Sequence, residues 1–235
     1  MNMKKIGIIL FLVTLAIGLV VSNLFSFGRA TGNLFNFSLG VGKIKGSGNT
    51  ASEVRDVAGF HALDVGGVFQ VEITANKDFS VEVEADDNLL PLIRTEVRGG
   101  VLRIKSERKL STSNPIRVRI SAPDIDGLGV SGAANVTVLN LMNSTLNVDA
   151  SGASKIKIEG ETAKLNIGVS GASRIDAESL AAESADVDAS GASQVSVRAS
   201  GELRTEASGA SRIDYSGSPT NVIKKTSGAG SVSAK

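Results

Sequence analysis

Cysteine is absent from the 235 residues. Its absence excludes a disulfide framework, a thiolate metal site, a thiol nucleophile and a lipidated cysteine as membrane anchor. Tryptophan is absent too, Tyr215 is the sole tyrosine, and the eight phenylalanines are concentrated before residue 80. Val, Ile, Leu and Ala must therefore fill the interior of the second half. The shortage of aromatic platforms also weakens a lectin-like reading, because the pattern below turns Tyr215 inward. His61 is the single histidine. With no second histidine to share a metal or a proton relay, it reads as a surface or edge residue. Charge of one sign is also lacking: 25 Lys and Arg face 24 Asp and Glu, a net of +1 that falls to −1 if Lys4 and Lys5 leave with residues 1–22. Without a basic excess, an RNP-like pattern or a helix-turn-helix pattern, the nucleic-acid-binding class is set aside.

What is present begins with an export signal. Lys4 and Lys5 precede an apolar run from Ile6 to Val21, and Val20-Val21-Ser22 is an acceptable small-residue exit. Two readings fit residues 1–22: a cleaved signal peptide, or an anchor that nearly spans a bilayer when extended through Leu24, Phe25 and Phe27. Both deliver the remainder outside the cytoplasm, in the periplasm, on the cell surface or in the medium. Only this segment offers contact with a membrane. Residues 23–52 contain an echo, Asn23-Leu24-Phe25-Ser26-Phe27 and Asn33-Leu34-Phe35-Asn36-Phe37, followed by a Gly, Lys and Ser tract. They read as a linker or, through Phe35 and Phe37, as a capping strand of the domain at 53–235.

Up to residue 121 the pattern alternates. Phe60–Val65, Val68–Ile73 and Phe79–Glu84 each show period two, bounded by Gly66-Gly67 and Asn76-Lys77-Asp78, as half-buried strands do. Asp86 to Leu92 allows a helical turn before Pro91 interferes. Further strands are expected over 93–97, 101–106 and 116–121.

A six-fold echo follows. Ser-Gly-Ala corners recur at Gly132, Gly152, Gly171, Gly191, Gly209 and Gly228, spaced 20, 19, 20, 18 and 19 residues apart. A constant period of this size marks a solenoid. Around Gly152, Gly171, Gly191 and Gly209, apolar residues fall six, four and two places before the glycine (Leu146, Val148 and Ala150, for example), with Thr205 the exception, and four and six places after it (Ile156 and Ile158), so both flanks are strands with one inward face. Each period is one coil, with five or six return residues that leave room for a third short strand. The chain is all-β, a single-stranded parallel β-helix whose crossovers favour the right hand. Glycine suits the sharp bend, the following alanines suit a cramped corner, and Ser151, Ser170, Ser190 and Ser208 are expected to form a ladder whose hydroxyls bond along the stack or to nearby backbone. No His, Lys or Asp accompanies these serines at a fixed offset, so they are corners rather than nucleophiles.

From Val54 to Lys235 the chain resembles the family described as putative auto-transporter adhesin, head GIN domain. The resemblance rests on Gly59-Phe60-His61-Ala62-Leu63-Asp64-Val65, Gly100-Val101-Leu102-Arg103-Ile104, the Ser-Gly-Ala-Ser corners and the closing Ser227-Gly228-Ala229-Gly230-Ser231-Val232. It implies a right-handed β-helix on an exported bacterial protein, and it supplies no catalytic motif.

Chemistry must then lie on the strand faces. Three places before the glycines stand Asp149, Gly168, Asp188 and Glu206, and five places before them Asn147, Asn166, Asp186 and Arg204. Asp186, Asp188 and Glu206 thus meet on adjacent coils, where paired carboxylates can divide acid and base work or form a solvated face neutralised by Arg204. Calcium fits poorly, since the glycine-rich nonapeptide is missing and Gly168 interrupts the acids. No cofactor motif is present. On the other flank, Lys155, Arg174 and Arg212 align, with Gln194 between them, as a basic stripe suited to an anionic glycan or cell-wall polymer. The leading expectation is a non-enzymatic exported surface for adhesion, envelope interaction or self-association with a glycan, envelope or protein partner. The alternatives are a polysaccharide-active hydrolase or lyase and a ligand-free spacer. Lys224, Lys225 and Lys235 discourage end-to-end growth.

Overall fold

A computed structural model describes residues 42–235. The signal or anchor segment at 1–22 and the Phe35–Phe37 stretch lie outside these residues. Chain order gives β1 (Ile44–Lys45), β2 (Thr50–Val54), β3 (Ala62–Gly67), β4 (Gln70–Ala75), β5 (Ser80–Asp86), β6 (Ile93–Arg98), β7 (Val101–Ser106), β8 (Leu110–Ser111) and β9 (Arg117–Ala122). It continues with β10 (Gly127–Gly132), β11 (Asn135–Ala150), β12 (Lys155–Val169), β13 (Arg174–Ala189) and β14 (Gln194–Ala199). The last strands are β15 (Glu202–Ala207), β16 (Arg212–Gly217), β17 (Asn221–Thr226) and β18 (Ser231–Ala234). One 3-10 turn, Leu90–Leu92, stands at the expected helical turn. No helix among the described residues is long and apolar enough to cross a membrane.

The strands stack in parallel as a solenoid with two main faces meeting at the glycine corners. Face one, before the corners, runs β7, β3, β10, the C-terminal stretches of β11, β12 and β13, then β15 and β17. Face two, after the corners, runs β9, β4, the N-terminal stretches of β11, β12 and β13, then β14, β16 and β18. The third short strand also forms: Leu141–Asn143 pairs with Gly160–Thr162, which pairs with Leu180–Ala182. It joins the other two through register shifts, so β11, β12 and β13 each read as one long bent strand.

The expected inward rows are inside. Leu146, Val148 and Ala150 are buried, as are Leu165, Ile167 and Val169 on the next coil and Ile156 and Ile158 on face two. Each buried Leu or Ile contributes about 1.5–3 kcal/mol of hydrophobic stabilisation relative to exposure. Thr205, the one polar member of these rows, is fully buried and donates its hydroxyl to the Ile223 carbonyl at 3.4 Å. Tyr215 packs against the core with Lys224 Nζ 4.6 Å from its ring centre.

Coil order departs from chain order at one end. The β7–β9 coil precedes the β3–β4 coil in the stack, although it follows it in sequence. Beyond it, antiparallel strands close the end: β6 on β7, and β5 on β9 with β2 outside β5. Their charged residues, such as Arg94, Glu96 and Arg98 on β6, suit an edge that must not recruit another strand. Residues 42–52 supply β1 and the start of β2 to this cap. A buried carboxylate ties it together. Asp86 is 1% exposed and accepts hydrogen bonds from Thr112 Oγ1 and Asn114 Nδ2, each at 2.7 Å. Gly46 must be glycine here, because a Cβ would stand 1.6 Å from Asp86 Oδ2.

The corners hold by a backbone contact. Each corner glycine from Gly132 to Gly228 has φ between 66° and 90°. A Cβ on any of them would lie 2.4–3.1 Å from the carbonyl oxygen of the corner glycine one coil earlier. That carbonyl accepts from the alanine N–H after the next glycine, as in Ala172 to Gly152 at 2.8 Å. Gly67 is a seventh rung, below Gly132. One expectation about the corner needs correction, and the serine ladder gains a second row. The alanines, Ala133 through Ala229, are exposed, since the crowding falls on the glycine Cα. The sealed serine ladder is the second serine of each motif: Ser154, Ser173, Ser193 and Ser211 are 1–2% exposed. Two places after the glycine, that side chain falls in phase with the inward rows on both flanks. Ser154 and Ser173 bond Oγ to Oγ at 3.1 Å, and Ser211 donates to the Ala189 carbonyl at 3.0 Å. Of the first serines, Ser190 and Ser208 still donate along the stack, to Val169 and Ala189 carbonyls at 3.3 and 3.5 Å.

Two outcomes follow for stability. Gly171→Val combines a disallowed backbone with a Cβ 2.5 Å from the Gly152 oxygen, and should lower unfolding free energy by about 2–4 kcal/mol. Ala172→Ser next to it should change it by less than about 0.5 kcal/mol; denaturant melts compare the two, and equal effects would refute the crowded-glycine account. The Asp86 carboxyl is held below the ordinary aspartate value by its Asn114 and Thr112 bonds, then by the Gly48 backbone, against the opposing effect of burial. Its contribution is therefore present above the unfolded value of about 3.9 and lost as pH falls through the folded one. Asp86→Asn should melt earlier than the wild type at pH 7, with the gap closing in acid.

Candidate functional site

Because one face-one position repeats on every coil, a single row of side chains runs along the solenoid. In register it reads Arg103, Asp64, Gly129, Asp149, Gly168, Asp188, Glu206 and Lys225. Four carboxylates are thus closed at either end by a cation, and Arg103 Nε lies 4.0 Å from Asp64 Oδ2. The interruption at Gly168 has a steric purpose. A Cβ there would stand 2.9 Å from Asp149 Oδ1, and one at Gly129 would stand 3.7 Å from Asp64 Oδ1. Gly168 thus gives the Asp149 carboxylate room to lie across the next coil, whereas a side chain at Gly129 would meet Asp64 only at ordinary contact distance. Beside this row stand Ser131, Ser151, Ser170, Ser190 and Ser208, and the two rows bound a shallow groove of about 640 Å³.

The second outward row places Asn147 beside Asn166, Asn166 beside Asp186, and Asp186 beside Arg204. Asn166 Nδ2 donates to Asn147 Oδ1 at 2.8 Å, an amide ladder along the stack. Asp186, Asp188 and Glu206 are therefore brought together, with Asp188 opposite Glu206 and Asp186 opposite Arg204. Burial raises the Asp188 carboxyl above the ordinary aspartate value, the neighbouring Asp186 and Glu206 charges raise it further, and Arg204 and Lys225 partly oppose them. Among the described residues no group of three or more His, Asp or Glu is arranged to hold a metal ion.

On face two, Lys155, Arg174, Gln194 and Arg212 stack in register as expected. Their neighbours dilute the charge: Arg212 pairs with Asp214 at 3.0 Å, and Lys157 with Glu159 at 2.6 Å. His61 Nδ1 bonds Asp126 Oδ1 at 2.8 Å, and its Nε2 lies where a Cβ of Gly100 would come within 2.4 Å. It braces two coils and faces no nucleophile. Asp64 and Arg103 are members of the groove row that the six-fold period does not reveal. The available signal was Asp64 standing three places before Gly67, the offset of Asp149 and Asp188 from their glycines.

Capped at one end by antiparallel strands and carrying its polar chemistry in rows along its flat faces, the molecule is a parallel β-solenoid. The chain belongs to the family described as putative auto-transporter adhesin, head GIN domain, whose model matches residues 59–219. Its fold is similar to that of a putative adhesin of Bacteroides fragilis NCTC 9343, with a TM-score of 0.69 at 20% identity over 82% of this chain and 100% of that one. A putative adhesin of Parabacteroides merdae ATCC 43184 superposes with a TM-score of 0.56 at 19% identity, over 82% of this chain and 99% of that one. One of Parabacteroides distasonis ATCC 8503 gives 0.52 at 22% identity, over 83% and 100%. No match was found among curated proteins.

Because the folded value of Asp188 is raised, the folded state holds more protons than the unfolded chain between about pH 3.9 and that value, and stability falls as pH rises through the window. Asp188→Asn should therefore raise the melting temperature slightly at pH 7, by an amount limited by solvent screening, and the gain should fade below about pH 4. A lower melting temperature at pH 7 would mean that the charge is stabilising and the crowding of carboxylates is misjudged.

Proposed function

We propose that this chain is an exported, non-enzymatic adhesion module that presents the face-one groove to a hydroxyl-rich polymer of a cell envelope or a glycan-coated surface. The observation that supports it is the row of carboxylates, spaced by Gly129 and Gly168, that lies beside a row of serines along the groove, on coils stacked at about 4.8 Å. Carboxylates and hydroxyls are the groups that accept from and donate to sugar hydroxyls, and a linear row suits a linear polymer. Family membership supports an adhesion role at or outside the cell surface. Lys4, Lys5 and the apolar run to Val21 support export.

The raised Asp188 carboxyl beside Asp186 and Glu206 is the observation that would favour a hydrolase, since catalytic acids are tuned in this way. One experiment separates the readings: retention of the full-length protein on immobilised glycans and envelope polymers, with reducing ends assayed in the same wells. An adhesion groove shares its contacts among coils. Asp188→Asn alone should then weaken retention about two- to tenfold, the worth of one hydrogen bond to a charged acceptor. Asp64→Asn with Asp149→Asn should weaken it further, and replacing Lys155, Arg174 and Arg212 with Ser should leave it unchanged. Reducing-end release that Asp188→Asn cuts a hundredfold or more would replace this reading with the hydrolase. Retention on no polymer, or retention indifferent to the groove carboxylates, would refute it.

A further inference from the structure

One corner breaks the pattern of the others. Residues 133–134 suffice between β10 and β11, and residues 151–154 between β11 and β12 in their corner-to-corner path. Between β7 and β9 the chain instead takes residues 107–116. Insertions on a repeating scaffold are the usual carriers of local function.

The insertion is held in place. β8 within it pairs in parallel with β1, and Thr112 and Asn114 donate to the buried Asp86 carboxylate at 2.7 Å. So fastened, it stands over the corner of the neighbouring coil, Gly67 to Phe69, and the two border a half-open cavity of about 1030 Å³. This reaches the upper end of the roughly 300–1,000 Å³ common for small-molecule sites.

Its lining has two chemistries. The floor is apolar: where later corners carry Ala and Ser, this one carries Val68 and Phe69, and the insertion adds Leu110 and Ile116. Val68 is left 73% exposed, an unusual place for a β-branched apolar side chain. The rim is cationic, with Lys43, Arg108 and Lys109. Among the described residues no carboxylate pairs with any of the three, and the adjacent Glu107 is already engaged by Arg94 at 2.8 Å.

We infer that this cavity binds an amphipathic anion, a long acyl chain ending in a carboxylate. The chain covers Val68 and Leu110, with the buried Phe69 and Ile116 beneath, while the carboxylate meets Arg108 and Lys109. An inorganic anion would leave the floor wet, and a neutral sugar would leave the cations without partners. The site lies off the face-one groove, so its failure would leave the adhesion reading untouched.

The test is displacement of the fluorescent fatty acid cis-parinaric acid from the full-length protein by palmitate and by hexadecanol. Saturable binding is expected, with palmitate competing at least tenfold better than the alcohol. Val68→Asp, and Arg108→Glu combined with Lys109→Glu, should each weaken palmitate at least tenfold, while Lys164→Glu on a distant exposed position changes it less than twofold. Melting curves verify that the variants are folded, which the exposure of all four substituted sites favours. Absence of saturable binding, equal competition by acid and alcohol, or affinity that survives Val68→Asp in the folded variant would each overturn the assignment; the last would place binding elsewhere on the chain.

Discussion

The contact on which the structure depends is between backbones: the carbonyl oxygen of one corner glycine occupies the space that a Cβ on the next corner glycine would need. The same carbonyl accepts the N–H of the following alanine. Together these leave one allowed vertical register for the coils. Because side chains alternate with period two, a slip of one residue would turn the aliphatic rows to solvent and the carboxylate rows to the core. The corners therefore specify both the hydrophobic interior and the outward rows that give the surface its chemistry.

Those outward rows are constrained in turn by what stacking like residues costs. Carboxylates on successive coils repel at close quarters, and the acidic row relieves this with Gly129 and Gly168 between its members and with Arg103 and Lys225 at its ends. Only at Asp188 and Glu206 do acids follow without a spacer, and there the carboxyl of Asp188 is pushed upward. Face two solves the same problem by pairing along the strand, Arg212 with Asp214 and Lys157 with Glu159.

Much of this was legible from letters alone, because a solenoid converts sequence period directly into spatial adjacency. The corner glycines, the inward rows, and the meeting of Asp186, Asp188 and Glu206 all follow from counting. What could not be counted was whatever left the period. Gly67 is the rung below Gly132, yet the intervening capping segment hides it; so Asp64 and Arg103 escaped the acidic row. The sealed second serines were legible too, although the sharp bend at the corner obscures them. The same alternation runs through the corner: two places after the glycine, Ser154 and its equivalents fall inside with the rows on both flanks, and the alanines fall outside. The cavity beneath residues 107–116 depends on a loop held by Asp86, a long-range contact that no local pattern announces.

The out-of-order first coil has a consequence for how the chain reaches its shape. The β3–β4 coil pairs on one side with β7 and β9, which are made later, and on the other with β10 and β11, which are made later still. Nothing in this end can close until residue 122 has emerged, so its first contacts span long loops and are slow to form. Beyond β11 the situation reverses. Each new coil meets a finished template one period away, and adding it closes only a short loop. The molecule thus has a slow seed at one end and a rapid zipper behind it, and growth has a direction, from the N-terminal cap toward the C-terminus.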